Sequence, residues 1–136
     1  MDLIVDTTFL VGLWRRQPWA LDFAVANRST TLGIPWVVLG EFWHGATRAG
    51  HAQKEVKRFL DLGIPVWDPA PVIQVYAETC TSLQEEAPAV YCSIGQNDLW
   101  IAAVAIHAQC PLLSRNQRHF DKISSLKLIA LENPAK

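Results

Sequence analysis

Short apolar runs alternate with helical patterns along this chain, and this alternation constrains its fold more than any other feature. The runs are rich in leucine and β-branched residues and lie at residues 3–5, 30–34, 64–67, 112–114 and 128–131. Each run has the length of a strand rather than of a helix. Strands that alternate with helices predict an α/β fold with a mostly parallel central sheet.

The helical segments show apolar residues that recur three or four positions apart. In the segment that begins at Pro35, for example, Leu39, Phe42 and Ala46 share one face. The patterns predict helices at residues 8–14, 19–26, 35–46, 55–62, 69 or 71 to 83, 98–108 and 118–123. Residues 87–95 contain a proline and a glycine, so we expect a loop there.

Length and composition fit one globular domain, residues 1–136, because half of the residues are hydrophobic and single cores commonly have this size. No apolar run approaches the roughly 18 residues that a membrane helix needs, and the acidic start is unlike a signal peptide. We therefore expect a cytoplasmic protein that has no contact with a membrane. The net charge of −1 argues against coating nucleic acid by bulk charge but allows a local basic patch.

Cysteine and histidine give no sign of a zinc site. Cys80, Cys92 and Cys110 are odd in number and lack zinc-ligand spacing, so we expect three buried free thiols. The four histidines are scattered along the chain. Only His119 falls near the site that Asp6, Glu41 and Asp98 predict.

Three acidic residues occur where a parallel sheet binds its ligands. Asp6 directly follows the first strand, and Asp98 opens a helix that we expect Asn97 to cap. Glu41 lies inside a helix among apolar residues, where an unpaired carboxylate is costly. Each acid also has an alternative interpretation when it is considered alone. Asp6 and Asp98 would be ordinary helix caps, and Glu41 would be a surface residue or the buried partner of Arg48. Together they predict one site at the carboxyl end of the sheet, where carboxylate oxygens suit Mg²⁺.

Several motifs resemble those of PIN-domain ribonucleases. They are Ile4-Val5-Asp6-Thr7, Gly40-Glu41-Phe42, Asn97-Asp98-Leu99-Trp100-Ile101-Ala102-Ala103, and Leu112-Leu113-Ser114-Arg115-Asn116 followed by His119-Phe120. Their order and spacing are similar to those of the VapC toxins of toxin-antitoxin pairs, over nearly the whole chain. The resemblance implies a three-layer α/β/α fold and a Mg²⁺- or Mn²⁺-dependent endoribonuclease. It also implies a homodimer whose activity a partner antitoxin inhibits.

The resemblance further assigns roles to single residues. Asp6, Glu41 and Asp98 match the metal-binding acids of the family. Asn116 stands where many members have a fourth acid, so it is a further catalytic candidate. Ser114 matches a small hydroxyl residue that supports the site.

Two more residues are candidates for supporting this site. Thr7 follows Asp6 directly, and Asp121 lies five residues after Asn116. Asp121 is a second candidate for the missing acid, or else a solvated residue paired with Lys122 or Arg118. In the implied mechanism a metal-bound water attacks the phosphorus in line and expels the 3′ oxygen.

Because the net charge is slightly negative, RNA has to be held by local cations. There are five candidates. Arg15 and Arg16 follow the first helix, and Arg115, Arg118 and Lys122 cluster near the predicted site. The alternative for each of them is an ordinary solvated surface charge.

Two other functions stay open. A phosphatase with an aspartyl nucleophile would use Asp6, but it wants a second acid where Thr8 stands and a lysine near the phosphate, and the first lysine here is Lys54. A PIN-like domain without activity would serve as a binding or assembly module. The three retained acids argue against that function, and the missing fourth acid argues for it.

Overall fold

A five-stranded parallel sheet forms the centre of the computed structural model, which describes residues 1–131. The strands are β1 (Leu3–Val5), β2 (Leu32–Pro35), β3 (Ile64–Val66), β4 (Leu112–Ser114) and β5 (Leu128–Ala130). Their order in the sheet is β3-β2-β1-β4-β5, and every neighbouring pair is parallel. The predicted α/β fold with a parallel sheet is therefore confirmed. Residues 132–136, which the sequence assigns to the same domain, lie outside the described residues.

Helices flank the sheet and follow the predicted segments closely. They are α1 (Thr7–Trp14), α2 (Pro18–Ala26), α3 (Trp36–Arg48), α4 (Gln53–Leu60), a 3₁₀ turn at Ala70–Val72, α5 (Ile73–Glu86), α6 (Pro88–Ser93), α7 (Gln96–Ala108) and α8 (Gln117–Phe120). Within residues 1–131, no helix is both long and apolar enough to span a bilayer.

Two local expectations were wrong. Residues 87–95 contain the short helix α6 rather than a loop, with Pro88 in its first turn, where a missing N–H costs nothing. Helix α7 begins one residue before Asn97, and Gly95 is its N-cap. Asn97 therefore lies inside the helix, and Asp98 occupies its first turn.

Strand β1 and helix α7 lie at the centre of the core. All three residues of β1 are buried, and α7 buries six of its residues against β1, α3 and α5. A helix that is apolar on most sides needs such a central position. The central position of α7 fixes its N-terminal turn, and with it Asp98, relative to the sheet.

The expected burial of the cysteines was wrong. All three are free thiols, but Cys92 is exposed, and Cys80 and Cys110 are only partly buried. The reason for Cys92 is the unexpected helix α6, which presents this side chain to solvent.

Candidate functional site

The candidate site lies where the order of the strands reverses. The chain moves outward from β1 through β2 to β3, and then returns to the other side of β1 as β4 and β5. At such a switch point the loops after the two central strands diverge and leave a crevice at the carboxyl end of the sheet. Asp6 follows β1, and Arg115 and Asn116 follow β4. These residues therefore border the crevice.

Asp6 is the most buried of the predicted acids, with 3% of its surface exposed. It is the N-cap of α1: its Oδ1 accepts hydrogen bonds from the Thr8 hydroxyl at 2.6 Å and from the Phe9 backbone N–H at 3.2 Å. Its Oδ2 accepts a hydrogen bond from the buried Ser114 hydroxyl. Asp6 thus fills the role of a helix cap and also lies in the crevice.

Burial raises the pKa of Asp6 above its ordinary value, because the charged form loses its hydration. The donors from Ser114, Thr8 and Phe9 lower this pKa again in part, and the negative charge of Asp98 raises it. Asp98 is therefore close enough to Asp6 for the two carboxylates to repel each other.

Asp98 occupies the first turn of α7 and is partly buried. Its Oδ2 lies 3.1 Å from Nδ1 of His119. Burial raises the pKa of Asp98, the hydrogen bond and charge of His119 lower it, and the charge of Glu41 raises it. Asp98 contributes to the raised pKa of Asp6, and Glu41 contributes to the raised pKa of Asp98, as expected for acids that border one crevice.

Glu41 is partly buried on α3, and its Oε1 accepts a hydrogen bond of 2.6 Å from the Thr7 hydroxyl. Thr7 therefore contacts one of the acids that it was predicted to support. Within residues 1–131, no lysine or arginine lies within ion-pair distance of a carboxylate, so Arg48 is not the partner of Glu41.

The acids do not close around one point. Among residues 1–131, no group of three or more Asp, Glu, His or Cys side chains is arranged so that it can hold an ion. The sequence predicts that the three carboxylates converge within a few ångströms. The structure shows polar contacts that link Asp6 to Asp98 and a hydrogen bond from Thr7 to Glu41, and it leaves the closer convergence of the three carboxylates a prediction.

Ser114, Asn116 and His119 form a row of polar contacts between Asp6 and Asp98. The Ser114 hydroxyl donates to Asp6 and accepts from the Asn116 backbone N–H at 2.8 Å. The Asn116 side-chain amide lies 2.8 Å from Nδ1 of His119, and the same nitrogen lies 3.1 Å from Asp98 Oδ2. A ring nitrogen either donates or accepts, so Nδ1 bonds the amide N–H or the carboxylate, and not both at once. Ser114 thus contacts the acid that it was predicted to support. The Asn116 side chain contacts the histidine rather than a carboxylate.

Two residues have contacts in this site that the sequence did not assign. Thr8, two residues after Asp6, donates to the Asp6 carboxylate and accepts from the Arg115 backbone N–H at 3.3 Å. Its position in the first turn after an acidic N-cap was the available signal. His119 was singled out only as lying near the site, and its pairing with Asp98 depends on tertiary structure.

The predicted RNA-binding cations separate into groups. Arg15 and Arg115 line one open cleft together with Thr7 and Thr8. Arg16 and Arg118 are exposed and line none of the described cavities.

Lys122 and Asp121 do not join the acids. Lys122 lines a different cavity with residues of α5 and with Ile106, which lies about 12 Å along α7 from Asp98 at the usual helical rise. Asp121 is the exposed C-cap of α8. Within residues 1–131 it forms no ion pair, so its predicted pairing with Lys122 or Arg118 is absent there.

The PIN domain family model matches residues 3–126. The chain therefore belongs to the PIN domain family. Comparison with the curated proteins found no similar sequence.

Several solved structures have a similar fold. VapBC2 from Rickettsia felis, bound to a DNA fragment from its promoter, is 22% identical with a TM-score of 0.77, covering 97% of this chain and 100% of the other. VapBC-1 from nontypeable Haemophilus influenzae is 18% identical with a TM-score of 0.77, covering 96% and 98%. A toxin-antitoxin complex from Klebsiella pneumoniae is 19% identical with a TM-score of 0.72, covering 97% and 99%. At these identities the likeness shows a shared fold.

Proposed function

We propose that this chain is the toxin of a toxin-antitoxin pair and acts as an endoribonuclease with Mg²⁺, or alternatively Mn²⁺. The observation that carries the proposal is the row of polar contacts from Asp6, which follows β1 at the switch point, through Ser114, Asn116 and His119 to Asp98 in the first turn of α7. Glu41 is bonded to Thr7, the residue next to Asp6. Membership of the PIN domain family supports a nuclease. The shared fold with chains of toxin-antitoxin complexes supports a toxin.

The chemistry of the three acids fits a hard divalent cation. Burial and the charges of neighbouring carboxylates raise the pKa of both Asp6 and Asp98, and a cation offsets that cost. Mg²⁺ usually keeps several waters and takes only one or two carboxylates directly, so acids that do not close around one point are compatible with it. Asp6, Glu41 and Asp98 would hold the ion.

The chain's own residues orient these acids. Ser114 and Thr8 hold Asp6, Thr7 holds Glu41, and His119 holds Asp98. In metal sites, hydrogen-bond partners of this kind fix the orientation of the ligands. When bound, the ion lowers the pKa of a coordinated water and neutralises charge on the phosphate. In this proposal Asn116 acts by positioning His119 rather than as a fourth acid.

The test measures cleavage of RNA by the purified chain with Mg²⁺, with Mn²⁺ and with EDTA. We expect cleavage with either ion and none with EDTA. Mg²⁺ should also raise the melting temperature, because an ion that binds only the folded state stabilises it. Asp98→Asn should remove both effects, whereas Asp22→Asn, an exposed acid on α2, should keep them. A parent chain that shows neither effect contradicts the proposal.

A PIN-like binding module without activity is the second candidate. The observation that favours it is the absence, among residues 1–131, of a group of acids already arranged to hold an ion. Such a module would bind its partner and show no cleavage in Mg²⁺. The same experiment therefore separates the two functions.

We also propose an antitoxin partner, a homodimer and a location in the cytoplasm, where cellular RNA is found. An arginine or lysine in the antitoxin tail would offset the repulsion between the acids when no metal is bound. Trp67, of which 65% is exposed, is a candidate for burial between protomers. Sedimentation and pull-down from the native cell test these points. A stable monomer without a protein partner contradicts them.

A further inference from the structure

An open cleft of about 620 Å³ lies beside the acids and carries two arginines. Arg15 is the C-cap of α1, and Arg115 directly follows β4. The remaining lining residues are neutral: Thr7, Thr8, Val11, Gly12, Gln17 and Trp19. We call this space the two-arginine cleft. Since none of these residues is acidic, the cleft has a local positive charge in a chain of net charge −1.

The two-arginine cleft adjoins two of the acids through single hydroxyl groups. Thr8 donates to Asp6 at 2.6 Å and accepts from the Arg115 backbone N–H at 3.3 Å. Thr7 donates to Glu41 at 2.6 Å. Arg15 also lines a smaller neighbouring cavity with Glu41. The cleft is therefore the space next to these acids into which a bound chain of nucleotides can extend.

Arg115 is held in place by an aromatic ring. Its guanidinium carbon lies 4.2 Å from the centre of the Trp19 ring. A side chain at Gly12 would meet this ring at 2.4 Å, so the glycine allows Trp19 to pack closely on α1. A guanidinium that stacks on a ring keeps the N–H groups at its edge free to donate. Among residues 1–131, neither Arg15 nor Arg115 has a carboxylate partner.

We infer that the two-arginine cleft binds the RNA backbone phosphate next to the bond that is cut. This inference rests on the proposed ribonuclease function. Guanidinium groups bind phosphate by paired, charge-assisted hydrogen bonds, and the side-chain amide of Gln17 adds a neutral donor in the cleft. Arg115 covers one face of Trp19, so a base cannot stack on that face. Phosphate therefore matches this cleft better than a base does.

The test measures binding of a fluorescent single-stranded RNA dodecamer to the chain in EDTA, at several salt concentrations. Arg15→Gln and Arg115→Gln should each weaken binding roughly tenfold at low salt, because each removes a charged donor to phosphate. Each should also reduce the slope of log affinity against log salt by about 0.7, the value for one phosphate contact on a single strand. Arg28→Gln, an exposed arginine beyond the far end of α2, should leave affinity and slope unchanged.

Trp19 is a positioning residue in this inference. Trp19→Leu should weaken RNA binding because Arg115 loses its support, and Trp19→Phe should restore most of the affinity because a ring remains. Circular dichroism and melting temperature check that each variant is folded. A purely structural role for Trp19 would instead make both substitutions act alike on affinity.

The inference is overturned if both arginine variants keep the parent's affinity for RNA and its salt slope. It is also overturned if they keep RNA binding but lose the antitoxin, since the cleft would then be a protein site. A parent chain that binds RNA through these arginines but does not cut it in Mg²⁺ contradicts the proposed function alone. A parent chain that cuts RNA, with variants that match it in affinity and kcat/KM, contradicts this inference alone.

Discussion

Asp6 and Asp98 face the same crevice, but they are stabilised in it differently. Asp6 is almost fully buried and receives three neutral donors, the hydroxyls of Thr8 and Ser114 and one backbone N–H. Asp98 is only partly buried and has one ionisable partner, His119. Burial raises the pKa of both carboxyl groups, whereas the groups that oppose this rise differ in kind.

The difference shows two ways of presenting a carboxylate to a cation. Three donors and near-complete burial hold Asp6 in one orientation. Asp98 is more exposed and has a single side-chain partner, so its carboxylate is free to adjust its position toward a cation. In the proposed nuclease, Asp6 is the fixed side of the site and Asp98 is the adjustable side.

The largest expected effect comes from removing the charge on the adjustable side. Asp98→Asn should lower the rate of RNA cleavage by on the order of 100-fold or more, since one charged ligand is lost where charge must be neutralised. Growth arrest on expression should vanish with it. Cleavage assays beside Asp22→Asn measure the effect. Cleavage at the parent rate would show that Asp98 is not a metal ligand.

Breaking the fixed side should affect both activity and stability. Ser114→Ala removes the donor to Asp6 and leaves the Asn116 backbone N–H without its acceptor. We expect cleavage to fall about 10- to 100-fold, as for other partners of metal ligands. The free energy of unfolding should fall by about 1–3 kcal/mol, because buried polar groups lose their partners. Chemical denaturation measures this loss, and Ser29→Ala, an exposed serine, is the control. Unchanged stability would contradict the buried hydrogen-bond network.

Removing the histidine should affect activity more than stability. His119→Ala takes away the hydrogen bond and the charge that lower the pKa of Asp98, so this pKa should rise further. Cleavage should fall roughly tenfold. The acid limb of the pH–rate profile should also move to higher pH. His44→Ala, at an exposed position on α3, is the matched control. A profile identical to that of the parent would show that His119 does not tune Asp98.

Substitutions at Asn116 and Asp121 should give smaller effects. Asn116→Ala should weaken cleavage more than Asp121→Ala, because Asn116 contacts His119, whereas Asp121 is exposed at the end of α8. Asn116→Asp should be tolerated and should tighten Mg²⁺ binding, since it adds a carboxylate beside the site. The magnesium dependence of cleavage compares the three variants. If Asp121→Ala were the most damaging, the fourth ligand would be Asp121.

The smallest effect concerns the pH dependence of stability without metal. The folded state binds protons at Asp6 and Asp98 more tightly than the unfolded chain, whose pKa is near 3.8. The stabilising contribution is therefore complete below pH 3.8 and decreases as pH rises through the raised pKa values. Asp98→Asn should melt at a higher temperature than the parent at pH 7 in EDTA, and the difference should disappear near pH 3.8. A parent that is the more stable of the two at pH 7 contradicts a net cost of burying the charged Asp98 carboxylate beside other acids.

Local patterns in the sequence predicted most of the fold. The apolar run at residues 3–5 became β1, and the apolar stripe after Asp98 became the central helix α7. Both patterns reflect nearest-neighbour geometry, in which side chains repeat every two or every 3.6 residues. Helix α6 was missed because proline and glycine at its ends also occur in loops. The predicted burial of Cys92 was wrong because helix α6, which carries it, was missed.

The sequence also determined which acids are candidates. For Asp6 and Asp98 it determined that they lie at the carboxyl end of the sheet, because a residue that follows a parallel strand or opens the next helix lies there. Only the tertiary structure decided what each acid contacts. Ser114 reaches Asp6 across 108 positions of sequence, and His119 reaches Asp98 across 21. The tertiary structure also places Arg15 and Arg115 in one cleft and Lys122 in a different cavity. The physical reason is that β1 pairs with β4, and no local period in the sequence records which distant strands become neighbours.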